Sequence, residues 1–158
     1  MEETLVDRSR RYSWQDPAPF LAALPRTGGL ELLRAMAAGG LPEPPIAATL
    51  GFEEITFDSG RVTVSLRPGE HHLNPLGTVH GGVLATLLDT ACGCAVHTTL
   101  DAGTGYTSLD LVTRFLRPVS PATGISGCPR SRYASTTTRK PHGTTTSTDW
   151  RTQAWCPT

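Results

Sequence analysis

An α+β fold, with one long helix set against antiparallel strands, is what this sequence predicts, and three patterns carry the prediction. Residues 49–57 and 61–67 read as two strands joined across Asp58, Ser59 and Gly60, a short polar turn containing a glycine. In the second strand Val62, Val64 and Leu66 alternate with Arg61, Thr63 and Ser65, the period of a half-buried strand. Residues 81–99 set Leu84, Leu87, Leu88, Ala91 and Ala95 on one face of a helix. A further long strand is expected over residues 106–117, with Leu109, Leu111 and Phe115 on one side and Pro118 and Pro121 ending it.

The flanks differ from this centre. Residues 17–24 and 30–38 read as short helices, the second preceded by Thr27, Gly28 and Gly29 and closed by Gly39 and Gly40. Pro42, Pro44 and Pro45 make residues 41–45 a stiff linker. The expected organisation is therefore an N-terminal helical extension and linker over residues 1–45 and a compact unit over 46–124. Residues 125–158 form an aberrant or disordered tail, rich in Thr, Ser, Arg and Pro and almost empty of aliphatic side chains. Such a composition buries too little apolar surface to offset chain entropy. No internal repeat is visible.

Composition narrows the function. The chain has 158 residues, 14 basic and 14 acidic, and no net charge. One domain with a real core fits that length, and the charge balance calls for neither nucleic acid nor a membrane surface. No apolar run is long enough to span a bilayer and Met1, Glu2, Glu3 and Thr4 do not open a secretion signal. Cys92, Cys94, Cys128 and Cys156 show no disulfide framework, so reduced thiols in the cytoplasm are expected. Cys92, Cys94 and His97 are poorly spaced for a metal, because helical residues two apart face different ways, and they read as small core groups. His71 and His72 read as an exposed loop pair. There is no serine nucleophile elbow and no phosphate-binding glycine loop. The basic residues of the tail lack interleaved aromatics, which argues against nucleic acid.

The chemistry concentrates between residues 74 and 89. A turn-rich stretch from Asn74 leads into His80, Gly81 and Gly82, which open the long helix; Asp89 lies two turns inside it. Glycines at a helix start admit close approach to the backbone, and the unpaired N–H groups there favour negative charge. A carboxylate within an apolar helix needs a partner or a task. Together these features describe a site that polarises a carbonyl through the Gly81 and Gly82 amides. Asp89 would activate water as a general base, or attack as a nucleophile.

The spacing Asn-x-x-Gly-x-x-His-Gly-Gly, followed after six residues by Asp, runs from Asn74 through Gly77, His80, Gly81 and Gly82 to Asp89. Together with Gly29 to Arg34, Pro44 to Ile46 and Phe115 to Pro118, it resembles the hotdog-fold acyl-CoA thioesterases of the PaaI type, over roughly residues 28–124. The resemblance implies a curled antiparallel sheet wrapped around a central helix, with two copies pairing their sheets. Acyl-CoA would be the substrate, with no separate cofactor because coenzyme A arrives as part of it, and no metal. It also assigns Asn74 to the carbonyl or the catalytic loop, His80 to a hydrogen bond near the thioester, and Ser108 to orienting the water. Arg117 would meet a coenzyme A phosphate. The structural alternatives are a turn former at Asn74, a helix cap at His80, an ordinary strand hydroxyl at Ser108 and a solvated charge at Arg117.

The resemblance stops at the tail, where the family continues with further strands. Read from the third base of each codon, the junction of Asp149 and Trp150 must encode Leu, and residues 148–154 permit Gly-Leu-Ala-His-Ala, much like the family's closing strand. The tail therefore reads as a shifted frame, with the C-terminal strands missing or aberrant. Loss of those strands would leave residues 106–117 as an open edge prone to aggregation.

A geometric consequence concerns assembly. Gly81 and Asp89 are eight residues apart, about 12 Å along one helix, too far to act on one carbonyl. Two antiparallel helices from two copies would bring the glycine end of one to the carboxylate of the other, so a homodimer or tetramer is expected. The alternative is a non-catalytic acyl-CoA-binding module, or a thioesterase disabled by its tail.

Overall fold

The computed structural model describes residues 6–122 and 125–127. Its centre is a β-hairpin. Strand β1 (Phe52–Asp58) pairs antiparallel with β2 (Arg61–Leu66), from Asp58 opposite Arg61 to Phe52 opposite Leu66, with a bulge between Phe52 and Glu54. The turn is the expected one. Gly60 adopts a φ of 69°, a left-handed conformation that a side chain would oppose. A third strand, β3 (Ile125–Gly127), pairs antiparallel with the other edge of β2, giving the order β1-β2-β3.

Helix α4 (Gly81–His97) crosses this sheet, packing on β2 and β3. Leu87, Ala91 and Ala95 are buried against Phe57, Val62, Val64 and Leu66. Leu84 and Leu88, expected on the same face, lie on its flank and are half-buried. The C-terminal end of α4 is tied to the hairpin: the Thr98 hydroxyl donates to the Ala95 carbonyl and accepts the Gly60 N–H at 2.8 Å.

Two short helices match the sequence reading to within a residue or two, α1 (Ala18–Ala23) and α2 (Gly29–Ala37). Leu32, Leu33 and Met36 of α2 are buried, and the helix rests on β1. The linker reading needs correction. Its last residue, Pro45, opens a further helix, α3 (Pro45–Leu50), so Thr49 and Leu50 are helical and the strand begins only at Phe52. The cause is local: Pro45 presets the first helical φ, and Gly51 ends the helix in the left-handed region. Arg10 donates to the carbonyls of Ala48 and Thr49 at that end.

The larger correction concerns residues 106–117. They belong to no strand, and Leu109, Leu111 and Phe115 are exposed. Alternation predicts a face. It does not supply the neighbouring ladder that makes an extended segment a strand. The tail reading departs from the structure at its first residues: Ile125–Gly127, read as part of the tail, form a strand paired with β2. The readings of residues 128–158, the shifted frame included, lie outside the described residues. Among the described residues no helix is long and apolar enough to cross a membrane.

Candidate active site

Asn74 closes a tight loop. Its carboxamide oxygen accepts the N–H of Leu76 at 2.9 Å and of Thr78 at 3.3 Å, and its Nδ2 donates to the Thr78 hydroxyl at 2.8 Å. The backbone completes the ring, with the Asn74 N–H on the Thr78 carbonyl and the Gly77 N–H on the Asn74 carbonyl. Of its two expected roles, the side chain here performs loop closure.

The loop delivers His80 to the start of α4. Val79 donates to the Val119 carbonyl at 2.9 Å and His80 to the His72 carbonyl at 2.8 Å. His80 is the N-cap, its Nδ1 accepting the Gly82 N–H at 2.9 Å. That bond requires the lone pair on Nδ1, so in the neutral ring the proton sits on Nε2, which faces outward as a donor. The same bond engages the Gly82 amide with His80. The Gly81 N–H makes no hydrogen bond among the described residues. A Cβ on Gly81 would lie 3.0 Å from Phe115 Cζ, so the Phe115 ring rests on this glycine.

Two turns along, Asp89 is half-buried and its Oδ1 accepts the Ser108 hydroxyl at 2.8 Å. The structure therefore joins two of the expected residues directly. Burial first, then the Asp89 charge, push the nearby Cys94 thiol up to about 11. Burial likewise raises the Tyr106 phenol, helped by Cys94 and Asp89.

Residues 106–119 run along α4 in the opposite direction, with Tyr106 on Gly93, Ser108 on Asp89, Phe115 on Gly81 and Val119 holding Val79. Arg117 is exposed within that run. Tyr106 and Phe115 were not singled out in the sequence as site residues. Gly93 was the available signal, since a glycine inside a helical pattern usually has a packing reason. His72 also departs from its reading. It is buried, with Nδ1 accepting the Gly69 N–H and Nε2 donating to the Leu50 carbonyl, and burial lowers its pKa. Cys92 and Cys94 form no disulfide, and among the described residues no cluster of three or more His, Cys, Asp or Glu gathers for a metal.

A helix laid across an antiparallel sheet, with an amide that makes no hydrogen bond among the described residues at its start and a hydroxyl-bonded carboxylate two turns inside, is an α+β arrangement of the hotdog type. Comparison with known proteins agrees. The Thioesterase superfamily model matches residues 76–123. A phenylacetic acid degradation-related protein of Ralstonia eutropha JMP134 is 33% identical, with a TM-score of 0.56, over 61% of this chain and 74% of that one. The PaaI protein of the Escherichia coli phenylacetic acid degradation operon is 26% identical, with a TM-score of 0.54, over 64% and 68%. Thioesterase HI1161 of Haemophilus influenzae, 23% identical with a TM-score of 0.52 over 68% and 71%, shares the fold. No curated protein matches the chain. The chain belongs to the thioesterase superfamily, with the PaaI-type phenylacetic acid degradation proteins, and is a thioester hydrolase by class.

Proposed function

We propose that this protein hydrolyses acyl-CoA or aryl-CoA thioesters to the free acid and coenzyme A, at a site assembled from two copies of the chain. The hydrogen bond from Ser108 to Asp89 carries the reading. With Oδ1 occupied, Oδ2 of Asp89 is left to take a proton from water, while the Ser108 oxygen keeps lone pairs that accept from the same water. Water adds to the carbonyl carbon as Oδ2 takes its proton; the tetrahedral intermediate then collapses, the C–S bond breaks, and the proton held on Asp89 passes to the departing sulfur, leaving the free acid and the thiol. The developing oxyanion is held by the Gly81 N–H at the positive end of α4, with Nε2–H of His80 beside it. Because Gly81 and Asp89 of one helix stand about 12 Å apart, each site takes its amide from one copy and its carboxylate from the other.

A second reading, a non-catalytic acyl-CoA-binding module, is favoured by Phe115 resting on Gly81 and by the engagement of the Gly82 amide. Thiol release from short, long and aromatic CoA esters separates the two. The enzyme reading expects turnover by the wild type and a loss of at least about a hundredfold in Asp89→Ala. Equal background release from both proteins rejects it.

A further inference from the structure

Gly93 lies inside α4, four residues beyond Asp89, where a glycine is less favourable than alanine by roughly 0.5–1 kcal/mol. Its φ is ordinary for a helix, so the reason for it is space. A Cβ at this position would lie 2.6 Å from the Tyr106 hydroxyl oxygen and 3.0 Å from its Cε2. Without that carbon the phenol lies directly on the helix backbone. Asp89, Gly93 and His97 are spaced by four and share one helix face, and the His97 and Tyr106 rings are 5.6 Å apart between centroids. Tyr106 therefore sits in a shallow seat floored by Gly93 and flanked by His97.

Ser108 follows two residues later and, like Tyr106, turns its side chain to α4. It meets Asp89 one turn up the helix. Among the described residues, the segment between Thr107 and Arg114 has no ladder to fix its height over α4. An exposed serine on an unpaired segment needs an anchor nearby to hold a 2.8 Å bond, and the neighbouring anchor is the seated ring. We propose that Tyr106, lodged on Gly93, is the positioning residue that sets Ser108 on Asp89. Its catalytic consequence rests on the thioesterase reading; the positioning itself does not. The phenol need not hydrogen-bond, since the fit of the ring against the glycine fixes the register.

The test combines a spectrum and a rate. The Asp89 side-chain carboxyl carbon is followed by NMR at neutral pH in the wild type, Ser108→Ala, Gly93→Ala, Tyr106→Ala and Tyr106→Phe. Gly93→Ala and Tyr106→Ala are expected to move the resonance as Ser108→Ala does, whereas Tyr106→Phe, which keeps the ring, leaves it near the wild-type position. In the same proteins kcat falls about tenfold for Gly93→Ala and Tyr106→Ala with KM changed less than about twofold, the pattern of a disturbed reacting group. Tyr106→Phe in the Gly93→Ala background removes the nearest clashing atom and restores part of both signals. A wild-type carbon resonance in folded Gly93→Ala, or in folded Tyr106→Ala, overturns the proposal. The spectrum needs no turnover, so a wild type that releases no thiol removes the thioesterase reading while the seat is still judged on the resonance.

Discussion

Strand β2 and the stretch 106–117 carry much the same apolar pattern and meet opposite fates. Val62 and Val64 are 0% exposed; Leu109 is 67% and Leu116 83% exposed. The difference is partnership. β2 has β1 on one edge, β3 on the other and α4 across its face. The stretch 106–117 touches α4 through Tyr106, Ser108 and Phe115 and has no strand beside it among the described residues. Alternation specifies which side chains share a face, and burial needs a second surface to meet that face. The carboxylate of the site belongs to the first kind of region and its serine to the second, so the site joins a firm half to a loosely held one.

Stability measurements sharpen the contrast. Leu87→Ala, at the centre of the core, is expected to lower unfolding free energy by about 2–5 kcal/mol. Leu109→Ala is expected to stay within about 0.5 kcal/mol in the single chain. Chemical denaturation checks both, and a large effect at Leu109 would mean that an assembled copy covers this stretch.

A smaller effect is expected at the junction of the two regions. Ser108→Ala removes a hydrogen bond to a charged group, so kcat should fall roughly tenfold to a hundredfold while the unfolding midpoint hardly moves. An unchanged kcat would detach the serine from the reaction.

The smallest effect concerns His97, buried with neither ring nitrogen hydrogen-bonded among the described residues. Burial lowers its pKa, so the unfolded chain binds the proton more readily than the folded one. Stability from this group is intact above the unfolded value of about 6.5 and declines as pH falls through it toward the lower folded value. His71 and His72, both lowered with burial as the leading cause, act in the same direction. Thermal melts of His97→Leu should fall less steeply than the wild type between about pH 7 and pH 5. Parallel curves would exclude His97 as a source of the slope.

Much of this was legible in the residues, for physical reasons that also mark the gaps. The turn at Gly60, the core face of β2 and the start of α4 at Gly81 are local choices written in glycine positions and periodicity. The family resemblance named Ser108 and Asp89 separately, and their hydrogen bond came from the structure. Helix α3 was hidden because Pro44 and Pro45 read equally as a stiff linker, and only Gly51 marks where a helix ends. The engagement of the Gly82 amide depends on a His80 rotamer, which no sequence pattern states. The unpaired state of residues 106–117 and the seat of Tyr106 depend on which surfaces come together, and alternation is silent about that.

The central claim is a site shared between copies, and complementation tests it most directly. Gly81→Pro removes the amide donor and suits the first helical position after His80, whose ψ of 134° a following proline accepts, with the Phe115 ring shifting to admit the new Cβ. Asp89→Asn removes the base. Each variant alone should release thiol at background rates. Unfolded together and refolded, they should recover about a quarter of wild-type activity, because random pairing gives mixed dimers in which one of the two sites is intact. Background release from a verified mixed dimer, when the wild type turns over, would contradict the shared site.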